Sequence, residues 1–120
     1  MAIPNPLVIT VNAVAKNLPR INQDGYGSEY YLLDTTESYR VKIRHSKESV
    51  QKDGSQFDRH NVELTHTVFG TSGNPDVVFQ TYAVLRNTSL STTTAMGHVQ
   101  GALNGLLTAG FVSDLKGWQN

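Results

Sequence analysis

An α+β fold, strands first and helices after, is what the order of hydrophobic periods along the chain predicts. Up to about residue 89 the apolar residues alternate, the period of half-buried strands; from residue 90 they recur at helical spacing. A chain of 120 residues can bury a sizeable core, and with no cysteine it has neither a disulfide framework nor a thiolate metal site to lean on. The expectation is one domain over 1–120, with hairpin and sheet in 1–89 and helices in 90–120 segregated on one sheet face.

Taken in order, Pro4 and Pro6 hold an extended lead-in. Residues 7–15 are β-branched and apolar, hence a strand. Its hairpin partner is 16–23, which Pro19 confines to an edge. Residues 24–28 (Asp-Gly-Tyr-Gly-Ser) carry turn chemistry, 29–34 form a short strand, and 35–37 turn into the strand that organises the rest. There Tyr39, Val41 and Ile43 fall on one side and Arg40, Lys42, Arg44 and Ser46 on the other. Residues 46–56 are a polar connection with Asp53-Gly54 at a hairpin-like tip. Within 57–69, His60, Val62, Leu64, His66 and Val68 share the apolar side, with Arg59, Asn61, Glu63, Thr65 and Thr67 opposite. Residues 70–76 are a loop by composition. The last strand is 77–88, with Gln80, Tyr82, Val84 and Arg86 on one side.

Met96, Val99, Leu103, Leu106 and Leu107 then recur at i, i+3, i+7, i+10 and i+11, which is an amphipathic helix. Ser91 or one of residues 92–94 supplies its N-cap. Gly110 is placed to end it, with Phe111 folding back on Leu106, and a last helical turn over 113–116 leads to Trp118. Gly97, Gly101 and Gly105 stack on one stripe of this helix, each costing about 0.8–1 kcal/mol against alanine. Either another backbone comes close along that stripe, or the helix tolerates the glycines because its apolar side holds it. A helix and a half cannot roof a sheet of this width, so a second copy is expected to supply the remainder. Met96, Gly97, Val99, Gly101, Leu103, Gly105 and Leu106 are the expected dimer contact.

Catalytic constellations fail on geometry. His60, Glu63 and His66 cannot act together, because strand parity sends Glu63 to the face opposite the two histidines; those histidines read as hydrogen-bonded packing residues. Gly70-Thr71-Ser72-Gly73 lacks the strand-to-helix elbow of a hydrolase serine. His98 lies away from the apolar side of its helix, and no glycine pattern cradles a phosphate after a strand. Asp24, Glu29 and Asp34 could gather a hard cation at a subunit contact, with turn and strand-end solvation as the plainer reading. No enzyme is expected. No apolar run approaches the ~20 residues that span a bilayer, and residues 1–6 do not read as a signal peptide, so a soluble protein made inside the cell, with no membrane partner, is expected.

Lys plus Arg and Asp plus Glu number 10 each, a balance that alone argues against nucleic acid. Yet Arg40, Lys42, Arg44 and Lys47 place four of those ten cations in one short stretch, so distribution outweighs the total. Parity adds Asn61, Glu63 and Thr65, then Tyr82 and Arg86, to the face of Arg40, Lys42, Arg44 and Ser46. Cations for phosphates, amides and hydroxyls for base edges, and an aromatic for stacking make up the equipment of single-stranded RNA recognition. A merely solvated face is the alternative on pattern alone.

Several blocks carry a resemblance. Arg20-Ile21-Asn22-Gln23-Asp24-Gly25-Tyr26, Ser28-Glu29-Tyr30-Tyr31-Leu32, Lys47-Glu48-Ser49-Val50, Arg59-His60-Asn61-Val62-Glu63 and Gly117-Trp118 closely resemble the coat protein of a Caulobacter single-stranded RNA bacteriophage. More widely, the layout is similar to levivirus coat proteins, with a counterpart for 104–110. The resemblance implies an N-terminal β-hairpin, a five-stranded antiparallel sheet and two C-terminal helices, interlocked in a homodimer with a ten-stranded sheet. It implies dimers closing into an icosahedral virion, made in the bacterial host cytoplasm, with helices outside and genomic RNA on the inner sheet face. It further implies translational repression through an RNA hairpin. By this likeness Arg40, Lys42, Arg44, Ser46, Asn61, Glu63, Tyr82, Val84 and Arg86 are inner-face residues, to which parity adds Thr65. Val84 stands where several relatives have a polar residue. Gly70, Thr71, Ser72, Gly73, Asn74, Pro75 and Asp76 would be the loop gathered at capsid axes, with Asn74-Pro75 able to turn cis in one environment. No cofactor is required, and calcium at subunit contacts is left open. The competing reading is a non-viral dimeric RNA-binding regulator.

Overall fold

The computed structural model describes residues 3–120; Met1 and Ala2, part of the opening segment read above as no signal peptide, lie outside the described residues. Strand β1 (Leu7–Val11) and strand β2 (Val14–Leu18) form a two-stranded hairpin. Its two linking residues, Asn12 and Ala13, both have positive φ, 49° and 64°. Two-residue hairpin loops need that twist, which asparagine adopts readily and alanine only at a cost. The chain therefore reverses at residues 12–13, inside the stretch expected to run on as one strand to residue 15. Pro19, lacking an N–H, then separates this hairpin from the main sheet, so residues 20–23 join the sheet instead of the hairpin.

The main sheet is an antiparallel meander in sequence order: β3 (Arg20–Asp24), β4 (Gly27–Leu33), β5 (Glu37–Lys47), β6 (Phe57–Val68) and β7 (Val77–Thr88). A register shift between Arg20 and Asn22 leaves Ile21 unpaired and bends the edge strand. Tyr39, Val41 and Ile43 face the hairpin, as their alternation requires. With Leu18 and Tyr30 they form the buried core, and Leu7, Ile9, Val11, Leu32 and Leu64 pack around it. The hairpin is also pinned by charge. Lys16 Nζ donates to Glu37 at 3.4 Å, and His66 Nε2 lies 2.9 Å from the other Glu37 oxygen. These contacts hold the Glu37 carboxyl below its usual pKa, the His66 hydrogen bond contributing most.

Helix α1 (Thr93–Leu106) is capped by the Thr92 hydroxyl, which accepts from the Ala95 N–H at 3.1 Å. Its end falls earlier than the glycine suggested. Leu107 closes the helix, and the Thr108 hydroxyl accepts from the Phe111 N–H at 3.3 Å to start α2 (Ala109–Lys116). Gly110 and Phe111 thus lie in the first turn of a new helix, where a threonine cap outweighs the glycine's tendency to stop the old one. Neither helix buries a single residue. The radius of gyration is 17.2 Å, against about 13.6 Å for a compact chain of this length. The accessible surface is 9099 Å², about 2,700 Å² more than a compact monomer of this mass exposes. The hairpin covers one half of the apolar sheet face, and the other half and both helices stay open.

Candidate nucleic-acid interface

Register builds the face opposite the hairpin. Arg40 sits between Tyr31 and Thr65, Lys42 between Glu29 and Glu63, and Arg44 between Gly27 and Asn61. Ser46 pairs with Arg59, and β6 presents Thr65, Glu63, Asn61 and Arg59 to Gln80, Tyr82, Val84 and Arg86. The ten residues expected on this face, nine from parity and Val84 from the resemblance, are brought together. Glu29 and Tyr31 were missed from this face, since Tyr30 to Leu33 reads along the chain as an apolar-aromatic run without alternation; parity against the buried Tyr30 would have found them.

The face is less cationic than β5 alone suggests. Arg40 is paired with Glu29 and stacks over Tyr31, its guanidinium carbon 4.6 Å from the ring centre. Arg86 donates through Nε and a terminal nitrogen to both Glu48 oxygens, at 2.5 and 2.8 Å, and lies over Phe57 at 4.1 Å. That fork holds Glu48 below and Arg86 above their ordinary pKa values. Arg44 reaches Asp24 at 3.6 Å, a half-exposed and therefore weak pair. Among the described residues, Lys42 and Arg59 make no ion pair. Glu63, opposite Lys42 in register, accepts from the Gln80 amide at 2.7 Å. Tyr82, directly opposite Glu63, is 68 % exposed and offers a flat ring to solvent. Gly27 is required beneath Arg44, because a Cβ there would come within 2.6 Å of the Ile43 carbonyl. The arrangement can exchange carboxylates for phosphates at the arginines and stack a ring on Tyr82.

Other expected residues fall elsewhere. His60 lies 3.0 Å from Asn87 Oδ1 and His66 2.9 Å from Glu37, the latter ring stacked on Tyr39 with centres 4.3 Å apart, so both histidines are hydrogen-bonded. Lys47 points to the hairpin side of the sheet and donates to Asp58 at 2.8 Å, leaving it off the cationic face. Met96, Gly97, Val99, Gly101, Leu103, Gly105 and Leu106 all lie on α1. A Cβ added at Gly97, Gly101 or Gly105 would touch nothing in the chain. Met96, Val99 and Leu103 line an open cleft of about 530 Å³ against Leu85 and Leu90. Residues 70–76 form a loop tied by Gly70 N–H to Asp76 at 2.8 Å and by Asn74 N–H to the Thr71 carbonyl at 3.0 Å. A Cβ on Gly70 would collide with the Asn74 carbonyl. Among the described residues the cis bond is Asn5–Pro6, and Asn74–Pro75 is trans in this single chain.

The three carboxylates considered for a cation are engaged locally. Asp24 accepts from the Tyr26 N–H at 2.8 Å, Glu29 holds Arg40, and Asp34 accepts from the Thr35 N–H at 2.8 Å. The described residues contain no group of three or more metal-binding side chains. Compared with known families, residues 4–88 match the model described as phage phiCb5, coat protein. That span takes in the hairpin and the whole sheet and stops just short of the helices. No curated protein matches the chain.

Proposed function

Because the chain belongs to the phage phiCb5 coat protein family, and so is a structural subunit of a capsid with its place in the virion, we propose that it works as an interlocked homodimer closing into an icosahedral shell around single-stranded RNA. The observation that carries this reading is the two-sided sheet. Its apolar face is roofed over only half its width, while two helices of the same chain bury nothing. A twin chain's helices laid over the open half would remove the surplus surface. About 2,700 Å² per chain is about 5,400 Å² for a pair, the upper end of obligate dimers, which bury roughly 2,000–5,000 Å² in total or more. Two sheets joined edge to edge would then make ten strands, with helices outside and Arg40, Lys42 and Arg44 inside.

RNA would be held by many weak contacts. Each chain offers Lys42 and Arg59 outright, and Arg40, Arg44 and Arg86 only in exchange for a carboxylate. A closed shell repeats that set many times, so avidity compensates for weakness at each site. The exposed Tyr82 beside Val84 favours base stacking over polar readout on β7. A repressor role through an RNA hairpin would use this same face and would show as a dimer binding one hairpin above competitor RNA. A calcium ion at a subunit contact would draw carboxylates from two chains, since each of Asp24, Glu29 and Asp34 is occupied within its own.

Electron microscopy with an absorbance ratio on purified protein tests the reading. Uniform particles filled with nucleic acid are expected. A small dimer that never closes would overturn it and favour a non-viral RNA-binding regulator.

A further inference from the structure

His45 and His60 stand directly opposite each other on β5 and β6, on the sheet face away from Arg44. Their Nδ1 atoms are 2.9 Å apart and the rings are inclined at 70°. The other nitrogen of His60 lies 3.0 Å from Asn87 Oδ1, while the Asn87 amide nitrogen donates to the Thr88 carbonyl. An amide oxygen only accepts, so the His60 proton sits on Nε2 and its Nδ1 carries a lone pair. His45 is exposed and can carry its proton on either nitrogen.

We propose that His45 and His60 chelate one divalent transition-metal ion of borderline softness through their two Nδ1 atoms. Two imidazoles bound at right angles, each about 2.05 Å from the ion, hold their nitrogens about 2.9 Å apart, whereas tetrahedral angles require about 3.3 Å. The present 2.9 Å is a hydrogen-bond spacing, close enough that a turn of the His45 ring brings both nitrogens within reach of one such ion, with Cu(II) the tightest binder of the series. At present the pair is arranged to share a hydrogen bond. Binding turns the exposed His45 ring until both lone pairs face the ion, and the His45 proton moves to its Nε2 through solvent, with none released. Asn87 is a positioning residue: its hydrogen bond fixes the tautomer that leaves His60 Nδ1 open. Asp58, on the same face, is held by Lys47 at 2.8 Å, so water completes the coordination. The ion would join the two strands on either side of the 48–56 connection.

Calorimetric titration of Cu(II) and Ni(II) into the purified assembled protein tests this, with Cu(II) electron paramagnetic resonance to count nitrogen ligands. One ion per chain and two nitrogen ligands are expected. His45→Ala, at an exposed position, should weaken binding about a hundredfold by ending chelation. Asn87→Leu should weaken it about tenfold with both histidines still present. His98→Ala, on the exposed side of α1, should change nothing. Undiminished binding in His45→Ala, equal loss in His98→Ala, or no stoichiometric binding at all would each overturn the site.

Discussion

Replacing Gly101 by alanine separates the close-packed reading of α1 from the tolerant one by sign alone. Within one chain a Cβ at Gly101 meets nothing within 4 Å, so the substitution should simply gain helix propensity, about 0.8–1 kcal/mol. If a partner's backbone lies along the stripe, the added methyl must fit a surface already in contact. Overpacking of that kind costs about 1–3 kcal/mol at each site, and a symmetric dimer has two. The intrinsic gain is also doubled, so the dimer is expected to lose up to about 4 kcal/mol net. Two measurements divide the effects. A peptide of residues 88–120 should gain helicity by circular dichroism when Gly101 becomes alanine. The full-length dimer should lose stability to urea, and Gly101→Leu should abolish particles by electron microscopy. A Gly101→Ala dimer stabilised as much as the peptide, with intact Gly101→Leu particles, would refute close packing along α1.

Other perturbations test other layers. Ala13→Gly should stabilise the hairpin by about 0.5–1 kcal/mol, since it relieves a left-handed alanine at φ 64°; a raised melting temperature is the check. Glu37 has a depressed pKa in the folded chain, so its contribution is present above the ordinary glutamate range and lost as pH falls through the lower folded value. A Glu37→Gln variant should therefore show a flatter stability–pH curve in that acid window by chemical denaturation. Lys42→Ala should lower encapsidated RNA without unfolding the dimer. Glu29→Gln, which releases Arg40 from its carboxylate, should raise it; absorbance ratios of purified particles report both.

Much of this was legible along the chain because period two survives folding. Tyr39, Val41 and Ile43 are buried while Arg40, Lys42 and Arg44 are not, as alternation alone requires. A hydroxyl cap among residues 91–94 was readable for a similar reason, since a hydroxyl ahead of an apolar helical pattern has one local use, and the bond from the Ala95 N–H selects Thr92. What could not be read depends on partners far away in sequence. β5 carries no carboxylate among its polar-face residues, yet register sets Glu29 and Glu63 on either side of Lys42. The loop residue Glu48 reaches Arg86 across 38 positions. The helix boundary was misread because glycine serves both as a stop and, less favourably, as a first-turn residue. Only the Thr108 hydrogen bond decides between them.

The pre-paired arginines set how the proposed RNA-facing surface would behave. A patch of bare cations would bind any polyanion early and tightly, including RNA met before assembly. Here the bulk of the positive charge is screened by Glu29, Asp24 and Glu48, and a phosphate must displace a carboxylate to use it. With about two unpaired cations per chain, the salt slope of the proposed single-strand binding would be only about −1.4 per chain and −2.8 for a dimer. On the proposed reading, a lone dimer would hold RNA loosely enough to let go and rebind. Tight retention would arise only when many dimers share one strand, so shell closure, and not any single contact, would trap the RNA.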